Sequence, residues 1–150
     1  MSMTIEDIIN IEEIKKLRSL YSHYFDAQDL DKLCSLFTED AKCEWDEDHG
    51  GTWDGIESIR SNYKIWMDKY PGYFIFMHAV TNPWIELTGP DTAEGRWFLL
   101  DYNFHNRESM NPLGTIGIYY DCYKKVNNQW KIYKTRLDFL WPRRYITNLG

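Results

Sequence analysis

Apolar and polar residues recur with two different periods along this chain, and the change falls near Tyr73. Before it, Ile11, Ile14, Leu17, Tyr21, Tyr24 and Phe25 return at spacings of three and four. Such spacing is one face of an amphipathic helix, predicted over residues 5–27. Thr4 with Asp7 forms a capping-box signature at its start. Glu6, Asp7, Glu12 and Glu13 crowd the first half, and Lys15, Lys16 and Arg18 follow, an order that suits the helix dipole. A second, short helix is predicted over residues 30–36, after a turn at Asp29. Residues 41–45 read as a short strand and 46–51 as a polar loop ending in Gly50-Gly51. Gly55 opens a third helix with Ile56, Ile59, Tyr63, Ile65, Trp66 and Tyr70 as its apolar members, and Pro71-Gly72 stops it.

After Tyr73 the period drops towards two. Four long strand-like runs follow, over residues 74–87, 93–106, 115–125 and 130–141. Thr88-Gly89-Pro90-Asp91 and Val126-Asn127-Asn128 supply hairpin turns, and the connection 107–114 is longer and carries Pro112. Helices first and long antiparallel strands afterwards indicate an α+β fold, with the helices packed on one face of the sheet. Strands of that length twist and curve. The expectation is a cone-shaped α+β barrel with a central cavity, as one domain spanning residues 1–150. Alternation places His78 on one face with Phe74, Phe76 and Val80, and Ile75, Met77, Ile85 and Leu87 on the other. It groups Asp101 with Trp97, Leu99 and Asn103.

Composition adds two constraints. The aromatic share is 17%, with seven Trp and eleven Tyr, enough to line a cavity for a flat apolar ligand. The net charge of -6, with no run of basic residues longer than a pair, argues against a nucleic-acid partner. Cys34, Cys43 and Cys122 lie far apart, as free thiols in a reducing compartment do. No run reaches membrane-spanning length and no signal-peptide pattern opens the chain, so a cytoplasmic protein without a membrane partner is expected. His23, His49 and His105 show no metal-ligand spacing, and no phosphate loop or dinucleotide fingerprint occurs. Neither a metal nor a cofactor is expected.

Four blocks carry a resemblance: Leu17-x-x-x-Tyr21-x-x-x-x-Asp26, Met77-His78 followed by Pro83, Gly95-Arg96-Trp97-Phe98-Leu99-x-Asp101, and Tyr123-Lys124-Lys125 followed by Trp130. With this order of elements, the chain resembles the nuclear transport factor 2-like superfamily. Within it the polyketide-cyclase-like (SnoaL-like) enzymes are most similar, above all the bile acid 7α-dehydratases. Scytalone dehydratase and the dehydrochlorinase of lindane degraders look like more distant relatives.

The resemblance implies a cofactor-independent lyase, a dehydratase acting on a polycyclic or aromatic carbonyl compound. In that reading His78 is the general base, an imidazole titrating near working pH. Asp26 orients it, Tyr21 donates to the substrate carbonyl, and Asp101 protonates the leaving hydroxyl. Asp26 lies five positions after Tyr21, about 140° round a straight helix, so the two converge only if the helix ends there. Tyr24 is the alternative to Tyr21. Expected lining residues are Tyr24, Trp45, Trp53, Trp66, Phe76, Val80, Trp97, Tyr119, Tyr120, Phe139 and Trp141. The same cavity would suit an isomerase or cyclase of polyketides or terpenoids. The alternatives of another class are a non-catalytic subunit of a ring-hydroxylating dioxygenase, whose small subunits share the fold, and a simple ligand-binding protein. A homodimer through the outer face of the sheet is also implied, with Ile75, Met77, Ile85 and Leu87 covered there.

Overall fold

A computed structural model describes residues 2–105 and 107–147. Three helices, α1 (Ile5–Asp26), α2 (Leu30–Ser35) and α3 (Ile56–Lys69), pack on one face of a six-stranded sheet. The strands are β1 (Phe37–Glu44), β2 (Thr52–Asp54), β3 (Phe76–Gly89), β4 (Thr92–Asn103), β5 (Leu113–Val126) and β6 (Gln129–Trp141), and a 3-10 helix (Glu47–His49) links β1 to β2. Of the strand expected over 93–106, residue Asn106 lies outside the described residues.

The sheet runs β2-β1-β6-β5-β4-β3. It is curved but not closed: β2 and β3 are its two edges. It is also mixed, because β1 lies parallel to β6 while every other pair is antiparallel. The expected cone, a curved sheet packed against the N-terminal helices, is found, and only the β1–β6 pair departs from the antiparallel expectation. The helix α3 connection after β2 and the long meander β3–β6 bring the chain's last strand back beside its first.

Thr4 caps α1 as its sequence suggests, with its hydroxyl accepting from the Asp7 backbone and Asp7 accepting in return. Ile14, Leu17 and Tyr21 of α1 join Leu33, Phe37, Ile59, Tyr63, Tyr123 and Ile132 in the main core. Each such side chain contributes about 1.5–3 kcal/mol by leaving water. A second cluster of Trp97, Leu99, Tyr119, Leu137 and Phe139 fills the concave side further along the sheet.

Arg18 is a charged residue inside the core. It is fully buried. Its guanidinium lies over the Tyr119 ring at 3.6 Å and the Tyr21 ring at 4.2 Å, and 3.6 Å from Asp121 Oδ2. Burial works hardest against its charge, but Asp121 and the surrounding tyrosines outweigh it and keep the group protonated. Asp121 in turn accepts from the Tyr123 hydroxyl, which accepts from the Trp97 indole.

One irregularity resets the faces of β3. The pairing with β4 slips between Thr81 and Trp84, around Asn82, which has φ 54°. The extra residue is a β-bulge, and it inverts the alternation beyond it. His78 and Val80 face the concave side, as expected. Ile85 and Leu87 also pack on the cores there, not on the outer face. Trp84 takes the outer position instead, with Arg96 over its ring. Among the described residues no helix is long and apolar enough to cross a membrane.

Candidate active site

The concave side of the sheet and the helices enclose a cavity of about 290 Å³. His78 reaches it from β3 and Asp101 from β4, and the two are direct cross-strand partners. β3 is an edge strand, so the His78 backbone N–H points away from β4. It donates to Asp26 Oδ2 at 2.8 Å. The other oxygen, Oδ1, lies 2.5 Å from His78 Nδ1. Asp26 is the last residue of α1 and is 5% exposed. Its carbonyl also accepts from the Phe74 backbone at 2.8 Å, so the helix end is fastened to the strand start.

The convergence problem posed by the helical wheel has a plain solution. Arg18, Ser22 and Asp26 stand four residues apart, and all three are buried. They form the polar margin of the buried stripe, adjacent to Tyr21. A stripe defined by apolar residues alone leaves that margin out.

On its other side His78 Nε2 lies 3.8 Å from Asp101 Oδ1. That oxygen is buried and accepts no hydrogen bond within the protein among the described residues. The Phe25 ring packs against the imidazole at 4.7 Å. Burial is the strongest influence on His78 and favours the neutral ring. The carboxylates of Asp101 and Asp26 oppose it and together lift His78 above its ordinary value of 6.5. Burial pushes Asp101 up as well, against the pull of His78. Both directions fit two groups that sit on one proton between them.

Tyr21, not Tyr24, lines the cavity; Tyr24 lies against the core with Lys32 near its ring. The Tyr21 and Tyr63 hydroxyls are 2.7 Å apart. Burial, the largest influence, keeps both phenols protonated, with Arg18 pulling Tyr21 partly back. Two phenolic donors therefore stand together at the cavity wall.

Of the other expected lining residues, Trp45, Trp53, Trp66, Tyr119 and Phe139 do line the cavity. Phe76 packs on Trp66 and Tyr70 instead. Val80 and Trp97 face inward but are absorbed by the second core cluster. Trp141 is exposed at the end of β6, and Tyr120 lies on the outer face between Arg96 and Arg136. Alternation gave the face of Val80 and Trp97 but not their depth along the cone. Phe25, Tyr63 and His49 line the cavity without having been expected there. Phe25 and Tyr63 were recognised only as apolar helix members, and His49 only as a loop histidine. Among the described residues no group of three or more His, Cys, Asp or Glu could hold a metal ion.

Solved structures share this fold. A candidate scytalone dehydratase from Novosphingobium aromaticivorans is 20% identical, with 96% of this chain and 95% of that one covered, at a TM-score of 0.78. LinA is 17% identical over 95% of this chain and 93% of its own, at 0.74. A protein of unknown function from Mycobacterium tuberculosis is 24% identical over 93% of this chain and 78% of its own, at 0.78. At these identities the likeness is one of fold. The family model for the SnoaL-like domain matches residues 6–136. With nearly its whole length matched, the chain belongs to the SnoaL-like domain family.

Proposed function

We propose that this protein is a cofactor-independent dehydratase acting on a flat, one- or two-ring carbonyl compound with a hydroxyl on the carbon β to the carbonyl. One arrangement carries the reading: a cavity imidazole with Asp26 on Nδ1 and Asp101 beside Nε2. Asp26 fixes the tautomer that leaves Nε2 free as a base and stabilises the imidazolium that forms. Nε2 takes the proton from the carbon next to the carbonyl. The C–H electron pair becomes the enolate, whose oxygen accepts from one hydroxyl of the Tyr21–Tyr63 pair, which in turn accepts from the other. The enolate then expels the β-hydroxyl, which leaves as water with the proton of Asp101. Protonated His78 returns that proton across the 3.8 Å gap, and the cycle closes.

The size of the ligand follows from the cavity. A volume of about 290 Å³ equals roughly ten water-sized portions of 30 Å³. Two fused rings fill that space. A larger polycyclic molecule would extend through the mouth beside His49 and Lys69.

β-Hydroxytetralone, whose dehydration gives a naphthol, is the probe. Naphthol absorbance is expected to rise with enzyme, with a mass loss of one water. The rate should climb with pH through a limb above 6.5, since the base must be neutral and its proton is held by the two carboxylates. In Asp101→Asn the residual rate should show that limb at lower pH, because burial then acts with less opposition. A limb that stays in place removes Asp101 from the scheme; no conversion removes the reaction. The closeness of base and acid also fits an isomerase that moves a proton between neighbouring carbons, and product of unchanged mass would favour it.

The second part of the proposal is a homodimer through the outer face of the sheet. Met77, Trp84 and Phe98 are exposed there, beside an open groove of about 320 Å³ lined by Trp84, Arg96, Tyr120 and Arg136. Sedimentation should give twice the monomer mass for the wild type and the monomer mass for Phe98→Lys. A wild type that sediments as a monomer at high concentration sinks the proposal.

A further inference from the structure

The cavity holds a second imidazole–carboxylate pair, which the dehydration scheme does not use. His49 ends the 3-10 helix and stands at the cavity mouth. Its Nδ1 lies 2.5 Å from Asp46 Oδ1, and its backbone N–H donates to the same oxygen at 3.0 Å. Asp46 is 2% exposed, and its other oxygen accepts from Arg143, which also pairs with Asp48. Phe139 stacks on the ring at 4.6 Å with 21° between the planes.

The ring is thus held along one edge and across one face. A capping role explains the backbone bond to Asp46. It does not explain a side chain seated on an aromatic wall of the cavity. With Nδ1–H given to Asp46, Nε2 is left as an acceptor facing the cavity. His49, Asp101 and His78 all line the same cavity. His78 comes from the β3 edge of the sheet, while His49 comes from the β1–β2 connection and rests on β6. A flat ligand lying across the concave face spans the two.

We propose that His49, aligned by Asp46, is a second polar anchor of the cavity, which accepts an acidic hydroxyl, phenolic or enolic, of the ligand. The proposal rests on the flat-ring ligand class inferred above, but not on any reaction. An acidic O–H is the partner that a carboxylate-backed imidazole holds best. Leu137, Trp53 and Phe139 beside it suit the ring that carries the hydroxyl.

Equilibrium titration by tryptophan fluorescence, with naphthol and with a naphthalenediol bearing hydroxyls at opposite ends, tests this directly. The wild type should bind the diol about ten-fold more tightly, the effect of one added charge-supported hydrogen bond. His49→Phe keeps a ring for Phe139 to stack on and should bind both ligands equally, with naphthol affinity within about two-fold of wild type. His49→Gln serves as the second variant should His49→Phe fold poorly. His78→Asn should keep the diol advantage. An advantage that persists without His49, or a loss shared equally by naphthol, overturns the anchor. If neither ligand binds the wild type, the ligand class falls and the anchor with it. A diol advantage that depends on His49, in a protein that leaves β-hydroxytetralone unchanged, upholds the anchor and rejects the dehydratase.

Discussion

His78→Asn should slow the conversion of β-hydroxytetralone by on the order of a thousand-fold, within the range that a positioned general base supplies. Asn is chosen because its amide N–H stands where Nδ1 stands and can still donate to Asp26. The change then removes Nε2, the atom beside Asp101, and little else. Thermal melting should stay within a few degrees of wild type. A variant with wild-type turnover would show that another group takes the proton. A variant that melts far lower would make His78 a structural residue, held by Asp26 for the sake of the strand.

Arg18 should carry the largest effect on stability. Arg18→Met deletes a fully buried cation and leaves Asp121, 3% exposed, without its counter-charge. Breaking a buried pair from one side costs about 3–5 kcal/mol. Urea denaturation should report a loss of that size. Adding Asp121→Asn to Arg18→Met should restore a good part of it, because the amide keeps the bond from Tyr123 without the stranded charge. Equal, additive losses in the two single variants and the double variant would show that the pair does not act as a unit. Arg18 also stacks on Tyr21 and Tyr119, both of which line the cavity, so its removal should loosen the wall that holds the Tyr21–Tyr63 pair.

Much of the architecture is legible in the spacing of apolar residues. The three helices, their caps and the long strands follow from periods of 3.6 and 2 together with Gly, Pro and Asn at the turns. The parallel pairing of β1 with β6 is not legible, since it joins residues as distant as Phe37 and Ile132 and leaves no local signature. The bulge at Asn82 illustrates a different limit. One extra residue exchanges inside for outside, so Ile85 and Leu87 turn to the core while Trp84 turns away. The strand expected over residues 74–87 does continue through Asn82-Pro83, but a strict alternation along it leaves no room for the extra residue there.

The site divides in the same manner. His78 and Asp101 could be assigned to faces by alternation, and they meet because β3 and β4 pair them directly. Asp26 and Arg18 required a different stripe on α1, one that admits polar residues. Burial of a charge is set by its partners, here His78 and Asp121, and those partners come from strands far along the chain. His49 gave no sequence signal beyond Asp46 three residues before it.

The bond from the His78 backbone to Asp26 bears on the solubility of the fold as well. A strand at the rim of a sheet offers its N–H groups to any other strand that drifts past, and proteins guard such rims with charge, bulges or covering chain. β3 has all three: the Asn82 bulge, the end of α1 laid against its first half, and a carboxylate that engages the N–H of His78. The group that would orient the imidazole therefore also keeps the rim from recruiting a foreign strand. A residue with both duties is constrained twice over, and substitution at Asp26 tests folding hygiene and chemistry together.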